Sequence, residues 1–526
     1  MPITEILARN ANLYADEIAL VEVTPETQDR REISWRRFDD DANRFAHLLL
    51  TRGLGKGKKV AILLTNCLEW LPIYFGILKT GALAVPMNYR YTAEEIAYCL
   101  NLADADAIVF GPEFVDRIAG VLGQISRVEL LVHVGVDVPP FAESYRELVA
   151  TASARPPQIA VTDTDEAAIY FSSGTTGFPK AILHDHRSLV SSCETEQAHH
   201  GQTRADNFLC IPPLYHTGAK MHWFGSLLAG SKAVLLRGVR PEWIIRTVSD
   251  EACTIVWLLV PWAQDILDAI DRDEIDLARY QLDQWRLMHI GAQPVPATLV
   301  QRWKTRFPNL DYDTNYGLSE SIGPGCVHLG IENTHKVGAI GKAGHLWEIK
   351  IVDEAGDTVK QGDVGELAVK GPGVMKGYYK DPEATAAVLK EGWLLTGDMA
   401  RTDEDGFVYL VDRKKDVIIT GGENIYPVEI EDFLHRHEAV KDVAVIGLPD
   451  QRLGEIVAAV IELKPGAEAT TEAILDFCSA LPRYKRPRAV IFAPVPRNPT
   501  GKIEKPKLRR TYAGGSVVEA QIHRPE

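Results

Sequence analysis

Short apolar segments alternate with amphipathic segments along most of the chain, and this alternation constrains the fold more than any other feature. Residues 59–64, 82–86 and 107–110 are apolar runs of strand length, with helical spacing of apolar residues between them. A second series of the same kind follows over about residues 208–290, with a helix predicted over 221–229. Because helices that connect successive strands cover both faces of a sheet, the alternation predicts an α/β fold built on largely parallel sheets.

The character of the sequence changes twice in its last third. From about residue 338 to 411, short apolar runs at 348–352, 365–370 and 407–411 are separated by glycine turns, which predicts a small antiparallel β-barrel or twisted sheet. The charged run 412–416 then precedes a compact α+β segment, with helices predicted over 428–437 and 471–481 and a strand predicted over 489–492. We therefore predict a large N-terminal domain (1–412) of two α/β subdomains plus a small β-barrel, and a smaller α+β C-terminal domain (413–526).

Charge and cysteine usage exclude several classes of protein. A formal net charge of −15 argues against nonspecific binding of nucleic acid. The seven cysteines contain no Cys-x-x-Cys pair, which favours buried thiols in a reducing compartment over disulfides or a zinc finger. The N-terminus has no signal-peptide pattern and no apolar stretch is long enough to span a bilayer, so the sequence predicts a cytoplasmic protein without a transmembrane segment.

A polar loop follows the apolar run 167–171. Glycines let backbone N–H groups surround an anion, hydroxyls add donors and a lysine adds positive charge, so the loop has the composition of a phosphate-binding loop. It is not a Walker loop, because Phe178 and Pro179 separate the last glycine from the lysine. Alone, the stretch is equally typical of a mobile polar loop. Its candidate phosphate ligands are Ser172, Ser173, Gly174, Thr175, Thr176, Gly177 and Lys180.

This loop resembles the phosphate-binding loop of the adenylate-forming superfamily, which comprises acyl-CoA synthetases, peptide-synthetase adenylation domains and luciferase-like enzymes. Segments similar to the later elements of that superfamily follow in order, at 213–216, 315–320, 371–384, 393–398, 413–429 and 499–502. The second reads Asn-Tyr-Gly-Leu-Ser-Glu, with Ser319 where the family has threonine. The chain is identified as a member, most similar to the acyl-CoA synthetases for fatty or aryl acids.

The resemblance implies an acid–thiol ligase whose ligands are ATP, Mg²⁺, coenzyme A and a small-molecule carboxylic acid. Such an enzyme makes an acyl-adenylate and pyrophosphate, then transfers the acyl group to CoA with release of AMP. Positioning and electrostatic stabilisation must supply most of the rate, because both reactants of the first step are anions. The catalytic residues that the resemblance implies are Lys502, Glu320, Lys180 and His216.

Further roles also come from the resemblance. Glu320 and Thr176 would bind Mg²⁺, Lys502 would bridge the carboxylate and the α-phosphate, and Lys415 would lie at the hinge of a mobile C-terminal domain. The remaining implied nucleotide- and CoA-site residues are Gly291, Ala292, Gln293 and Tyr316 at the adenine, Asn315, Gly317 and Ser319 elsewhere in the cofactor site, Asp398 and Arg413 at the ribose, and Gly421, Gly422 and Glu423 near the thioester site.

The candidates for the acyl pocket by position are His216, Lys220, Trp223, Trp257 and the residues around 321–325. Lys220 is unusual in a region that is generally apolar in fatty-acid enzymes. We consider two interpretations: its ammonium pairs with a second polar or acidic group of the substrate, or it faces solvent or the nucleotide. The histidine pairs at 184 and 186 and at 199 and 200 are predicted to lie at the surface rather than to bind metal.

Three alternatives remain beside the CoA ligase. A stand-alone adenylation enzyme would load an acyl carrier protein instead of CoA, and a luciferase-like enzyme would oxidise its adenylate. A nucleotide-binding regulator without catalysis is a third, although it predicts damage at Lys502, Glu320 or Lys180, which are all present. Neither the acid nor the oligomeric state, including a homodimer, is determined by the sequence.

Overall fold

The computed structural model describes residues 1–172, 179–291, 295–336, 338–421, 423–497 and 503–513. Contacts divide the chain into two compact units. The first contains Met1–Ile349 and Val369–Leu394, and the second contains Lys350–Ala368 and Leu395–Glu526. A boundary at residue 412 and a hinge near Lys415 stay predictions.

The first unit contains an eight-stranded sheet. Its strands pair in parallel, except for two antiparallel pairings at one edge, where the strand Lys180–Asp185 runs opposite to both of its neighbours. In spatial order the strands are Gly377–Tyr378, Lys180–Asp185, Glu166–Ser172, Leu83–Pro86, Lys59–Leu63, Ala107–Phe110, Leu130–His133 and Glu143–Ser144. Glu166–Ser172 and Lys180–Asp185 thus form a hairpin, and the predicted phosphate loop connects its two strands.

A seven-stranded sheet completes the α/β part of this unit, and only its outer strand Asp29–Ser34 is antiparallel. The spatial order is Asp311–Asp313, Leu287–Gly291, Ile255–Leu259, Asn207–Cys210, Lys232–Leu236, Ile18–Thr24 and Asp29–Ser34. A small antiparallel sheet follows, with strands Asn315–Leu318, Gly323–His328 and Lys342–Ala343.

The main hydrophobic core joins side chains from both large sheets with those of the helices Trp35–Thr51 and Trp70–Lys79. Every residue of Trp70–Lys79 is buried, because a helix surrounded by protein has no solvent-facing side. The buried Lys79 side chain forms an ion pair with Asp39, whose Oδ1 lies 2.5 Å from Lys79 Nζ. The other α-helices of the unit are Ile3–Leu13, Ala93–Leu102, Val115–Ala119, Tyr145–Thr151, His186–His200, Thr217–Ala229, Pro241–Asp250, Val260–Asp271, Ala297–Arg306 and Pro382–Val388.

The second unit contains a five-stranded sheet on which short helices pack. In it, Gly454–Leu463 pairs antiparallel with Val440–Asp450 and parallel with Ala489–Phe492, and the hairpin Ile418–Thr420 and Glu423–Ile425 extends one edge. Its α-helices are Pro427–Leu434, Thr471–Phe477 and Lys505–Tyr512. The remaining strands of residues 348–413 are Glu348–Val352, Gly365–Lys370, Leu389–Lys390, Trp393–Thr402 and Val408–Arg413.

The α/β fold class is confirmed, and most predicted strands are observed within one or two residues of their expected ends. Three helices have different ends. The helix expected at 221 begins at Thr217, because the His216 ring caps it by accepting the Gly218 N–H at 3.1 Å. The helix predicted over 428–437 ends at Leu434, and the one predicted over 471–481 ends as an α-helix at Phe477. Among the described residues, no helix combines the length and hydropathy that crossing a membrane requires.

The prediction that the histidine pairs lie at the surface is wrong. His184, His186 and His200 are buried, and His199 is half-buried. The alternation of the strand Lys180–Asp185 directs His184 inward, and His186 and His200 lie on the core side of the helix His186–His200. Polar residue types gave no indication of this burial, because strand order and helix packing decide it.

His186 makes acid stability of the fold testable. Burial lowers its pKa from 6.5 to about 4, and within the described part of the chain neither ring nitrogen has a hydrogen-bond partner. Below about pH 6.5 the unfolded chain therefore binds a proton that the folded chain takes up only near pH 4, so folding stability falls over that window. The free energy of unfolding of the wild type should fall between about pH 7 and about pH 5. In His186→Phe we expect this fall to be smaller by about 2 kcal/mol.

The measurement is urea denaturation of wild type and variant at several pH values. His335→Phe serves as the matched control, because His335 is exposed, and its pH dependence should follow the wild type. Equal pH dependence in all three proteins would contradict a neutral buried His186.

Candidate active site

The two ends of the predicted phosphate loop lie side by side. Ser172 ends one strand of the hairpin and is the register partner of Lys180, which begins the other. The loop residues Ser173, Gly174, Thr175, Thr176 and Gly177 lie outside the described residues. Ser172 and Lys180 therefore mark the position from which this loop leaves the eight-stranded sheet.

Glu320 lies at the same position. The Ser172 hydroxyl donates to Glu320 Oε1 at 3.2 Å, and the Tyr378 hydroxyl donates to the same oxygen at 3.1 Å. The Lys180 ammonium lies 4.5 Å from the centroid of the Tyr378 ring. The structure thus brings three predicted residues together and adds Tyr378, which the sequence analysis did not select.

Tyr378 belongs to a segment that the sequence analysis matched as a whole, over residues 371–384. Its strand Gly377–Tyr378 pairs with Lys180–Asp185, which places the phenol beside the hairpin end. Burial and the Glu320 carboxylate raise the pKa of the phenol, so it stays a hydrogen-bond donor near neutrality. A tyrosine after glycine is common on strands, and only the strand pairing identifies this one as a site residue.

The backbone around Glu320 is held from two sides. The Met375 N–H donates to the Glu320 carbonyl at 2.8 Å, and His184 Nε2 lies 2.8 Å from the Ser319 carbonyl. Burial lowers the pKa of His184 to about 4, so the ring is neutral and donates its Nε2–H to that carbonyl. Ile322, two residues on, has φ +64°, a left-handed conformation that is strained for a β-branched residue. The turn that carries Glu320 is thus fixed by contacts.

Residues predicted near the adenine lie on two neighbouring strands. Gly291 ends the strand Leu287–Gly291, and the strand Asn315–Leu318, which contains Tyr316 and Gly317, packs beside it. Ala292 and Gln293 lie outside the described residues. The Asn315 side chain points towards the helix His186–His200, since its Nδ2 donates to the buried Glu196 Oε1 at 3.3 Å.

The acyl-pocket candidates are buried to different degrees. His216 and Trp257 flank Gly218, where an added Cβ would come within 3.0 Å of both rings. Trp257 in turn stacks on His222 with ring centroids 4.9 Å apart. Trp223 packs in the hydrophobic core against aromatic rings of the helices Trp35–Thr51 and Trp70–Lys79.

Lys220 is fully buried, so the interpretation that it faces solvent is wrong. Its ammonium lies 4.2 Å, 5.0 Å and 5.4 Å from the ring centroids of Tyr170, Tyr74 and Trp70. Burial lowers its pKa well below the ordinary range. An aromatic environment of this kind attracts a cation by cation–π interaction and does not require an anionic substrate group. Contact between Lys220 and substrate stays a prediction that this environment does not favour.

In the second unit, the residues predicted at the ribose are neighbours. Asp398 and Arg413 are register partners on antiparallel strands, and Arg413 Nε lies 3.6 Å from Asp398 Oδ1. Glu366, which the sequence analysis missed, accepts the Gly397 N–H at 2.9 Å and pairs with the Lys414 ammonium at 2.9 Å. Gly397 has φ +75°, which glycine adopts without strain. Glu366 thereby fixes the turn that presents Asp398.

The predicted thioester-site loop connects the strands Ile418–Thr420 and Glu423–Ile425. Gly421 has φ +59°, Glu423 is the register partner of Thr420, and Gly422 lies outside the described residues. Lys415 lies in the connection just before this hairpin.

Lys502 also lies outside the described residues, but the segments on either side of it are firmly attached. Arg497 and Ile503 form a β-bridge, and Arg497 pairs with Asp442 at 2.7 Å. Lys505 is buried at the start of the last helix, and its Nζ lies 2.8 Å from Glu431 Oε1. The described anchors therefore fix where the short Lys502 segment starts and ends on the second unit.

Comparisons with known proteins match nearly the whole chain. The model of the AMP-binding enzyme family matches residues 7–379, and that of the AMP-binding enzyme C-terminal domain matches residues 429–502. A long-chain-fatty-acid–CoA ligase from Mycobacterium tuberculosis is 31% identical, over 93% of this chain and 95% of that protein. A feruloyl-CoA synthase from Amycolatopsis is 32% identical, over 89% and 92%.

A solved structure is also closely similar. The crystal structure of the anthranilate CoA ligase AuaEII in complex with anthranoyl-AMP superposes with a TM-score of 0.87 at 27% identity. The match covers 97% of each chain. The similarity therefore extends over both units.

Proposed function

The chain belongs to the family of AMP-binding enzymes, and on this premise we propose how its residues divide the work of an acyl-CoA ligase. The enzyme joins a carboxylic acid to ATP and then to CoA. In the first step a carboxylate oxygen attacks the α-phosphorus, and the bond to pyrophosphate breaks. In the second step the CoA thiol attacks the acyl carbonyl, loses its proton, and AMP leaves. Membership of this enzyme family argues against the alternative of a nucleotide-binding regulator without catalysis.

We assign the β- and γ-phosphates to the loop between Ser172 and Lys180. The adjacency of these two residues at the end of the sheet supports this assignment. Backbone N–H groups and hydroxyls of such a loop can surround phosphate oxygens, and the Lys180 ammonium adds a positive charge. The contact of that ammonium with the Tyr378 ring keeps it beside the loop.

Glu320 and the Thr176 hydroxyl would hold Mg²⁺. Glu320 fits a role as a metal ligand because its carboxylate is half-buried and oriented. The hydroxyls of Ser172 and Tyr378 both donate to its Oε1. Oxygen ligands of this kind, together with phosphate oxygens and water, are what Mg²⁺ prefers. When bound, the ion would neutralise phosphate charge. Ser172 and Tyr378 would act by holding the carboxylate in place.

Asp398 suits the ribose, since the two oxygens of one carboxylate can accept both sugar hydroxyls. Arg413 beside it supports this role by orienting the carboxylate. The adenine would lie against Tyr316 and Gly291. For the carboxylate and α-phosphate we propose Lys502, and for the thioester step the segment Gly421–Glu423 with Lys415 as the hinge.

We propose that the acid is compact, either short, branched or with a single ring. Behind His216 the rings of Trp257, His222 and His289 pack against one another, with centroids 4.9 Å and 4.4 Å apart. A long alkyl chain would have to displace this packed group, whereas a compact acid needs only the space beside Gly218. The feruloyl-CoA synthase and the anthranilate CoA ligase among the similar proteins act on ring acids, which is consistent with this class.

The test is AMP formation from ATP across acetate, hexanoate, benzoate, ferulate, adipate and palmitate, with and without CoA. We expect the highest kcat/KM with a short or single-ring acid and a matching acyl-CoA product. A preference for palmitate would overturn the compact-acid proposal. AMP formation without transfer to CoA would instead favour an acyl carrier protein as the acceptor.

Tyr378→Phe should lower kcat/KM for adenylate formation by about tenfold, because a hydrogen bond to a charged group contributes about 1.5–3 kcal/mol. The ring that contacts Lys180 is retained, so only the bond to Glu320 is lost. Pyrophosphate release with saturating acid is the measurement. Tyr484→Phe is the control, since Tyr484 is exposed. An unchanged rate would show that the phenol does not position Glu320.

A cytoplasmic location and the absence of nucleic-acid binding remain predictions from the sequence, and the oligomeric state, including a homodimer, remains open.

A further inference from the structure

A cluster of buried histidines and carboxylates lies in the first unit beside the segments that carry the nucleotide residues. His200, His222, His289 and His328 belong to it, together with Glu196 and Asp313, and all are buried. The members come from the helix His186–His200, the helix Thr217–Ala229 and the strands Leu287–Gly291, Asp311–Asp313 and Gly323–His328. His222 and His289 also belong to the packed rings that limit the size of the proposed acid, but none of these side chains is assigned a part in bond making or bond breaking.

His200, Asp313 and His328 each present a ligand atom within 4.8 Å of the others, and His289 Nδ1 lies beside two of these atoms. His200 Nε2 lies 3.1 Å from His289 Nδ1 and 3.2 Å from Asp313 Oδ2. His328 Nδ1 lies 3.0 Å from Asp313 Oδ2, and His289 Nδ1 lies 3.8 Å from it. The ligands of a tetrahedral Zn²⁺ at about 2.0–2.1 Å stand about 3.3 Å apart, so the observed separations have the size of such a coordination shell.

Hydrogen bonding alone leaves this cluster incompletely satisfied. Glu196 Oε2, His200 Nδ1 and His289 Nε2 are buried without a hydrogen-bond partner among the described residues. In that same part of the chain, neither Glu196 nor Asp313 pairs with a lysine or arginine. Within the described part of the chain, only imidazole rings supply positive charge to these two buried carboxylates, and incomplete compensation of buried charge is costly. One divalent ion would balance both carboxylate charges.

We propose that His200 Nε2, His289 Nδ1, His328 Nδ1 and Asp313 Oδ2 bind one Zn²⁺ ion in a closed structural site. Three imidazole nitrogens with one carboxylate oxygen favour zinc over magnesium or calcium, which take oxygen ligands. Complete burial leaves no open position for a substrate, as is typical of structural zinc. The site is separate from the Mg²⁺ position at Glu320.

The surroundings of the four atoms fit this assignment. Asp313 Oδ1 accepts the Thr314 and Gly330 N–H groups at 2.8 Å and 3.0 Å, which leaves Oδ2 directed at the imidazoles. Glu196 lies behind two of the ligands, 3.6 Å from His200 Nδ1 and 3.5 Å from His328 Nε2. A carboxylate on the far nitrogen of a ligand histidine orients the ring and increases its basicity.

The ion would fix the position of nucleotide residues. The strand Leu287–Gly291 leads into the predicted adenine loop, and Asp313 immediately precedes the segment from Asn315 to Glu320. Asn315 Nδ2 lies 3.3 Å from Glu196 Oε1, which couples this segment to the cluster. A metal that joins these strands to the helix His186–His200 would therefore hold the adenine side of the site in register.

The full chain, purified without an affinity tag in buffers treated with a metal-binding resin, tests the proposal by elemental analysis. We expect about one zinc per chain, released only when the protein is unfolded beside a chromogenic chelator. Growth with Co²⁺ should give the strong visible absorption of tetrahedral cobalt. The double variant His200→Gln/His328→Gln should lose at least tenfold of the metal, and the exposed His335→Gln should retain it.

The metal content of the wild type alone can overturn the proposal. The test therefore does not depend on whether the double variant folds. Less than one tenth of an equivalent of zinc, with no cobalt spectrum after unfolding and refolding in excess Co²⁺, would do so. Full metal content in a folded double variant would place the ion elsewhere and equally overturn it. Metal content is measured without substrate, so this outcome is independent of the proposed ligase assignments.

Discussion

Glu320→Gln should lower kcat/KM for acyl-adenylate formation by about 10²- to 10³-fold, a loss of about 3–4 kcal/mol of transition-state stabilisation. The amide oxygen can still accept from Ser172 and Tyr378, which contact Glu320 Oε1 at 3.2 Å and 3.1 Å. The shape of the site is therefore retained while the negative charge is removed. Charge is what a Mg²⁺ ligand supplies, so the Mg²⁺ concentration for half-maximal rate should rise as well.

The measurement is pyrophosphate release over a Mg²⁺ titration, with the best acid from the substrate panel. Glu332→Gln is the matched control, because Glu332 is exposed in the same region of the chain and its loss should leave both quantities unchanged. A reduced rate with an unaltered Mg²⁺ dependence would assign Glu320 a role other than metal binding.

Lys502→Ala should reduce adenylate formation by a similar factor of about 10²–10³, because it removes a positive charge where the carboxylate and α-phosphate meet in the transition state. The same variant should convert preformed acyl-adenylate and CoA to acyl-CoA at a rate within a few-fold of the wild type. The two half-reactions separate because Lys502 is proposed to act only in the first.

Single-turnover assays of each half-reaction test this separation. Lys507→Ala is the matched control, since Lys507 is an exposed lysine five residues further on. The anchors at Arg497 and Lys505 are unchanged in both variants, so the fold of the second unit should be the same. Equal loss of both half-reactions would contradict a role confined to adenylation.

Local sequence patterns predicted the fold class and many elements. The strands Ala107–Phe110, Glu348–Val352, Gly365–Lys370 and Ala489–Phe492 were placed at their observed ends, because an apolar run of strand length bounded by turn residues is a local signal. Helix ends were predicted less well. The start at Thr217 depends on a cap made by the ring of His216, and such a contact leaves little trace in periodicity.

Short motifs selected some residues that the structure brings together, whereas residues that reach the same position through strand pairing were not selected. Ser172, Lys180 and Glu320 were selected from short motifs, and the structure brings them together. Tyr378 and His184 were missed, although both hold the segment at Glu320. They reach it through strand register and burial, which depend on residues far away in the sequence.

The sequence by itself determined the family and the reaction, and it supplied the candidates for the proposed phosphate and ribose sites, because those features are contiguous motifs whose chemistry depends on their own residues. Only the tertiary structure decided which polar residues are buried. His200, His289, Asp313 and His328 lie on three strands and one helix, and no spacing along the chain relates them. Sheet order places Asp313 Oδ2 3.0 Å from His328 Nδ1 and 3.8 Å from His289 Nδ1, since long-range packing fixes distances that local periodicity cannot encode.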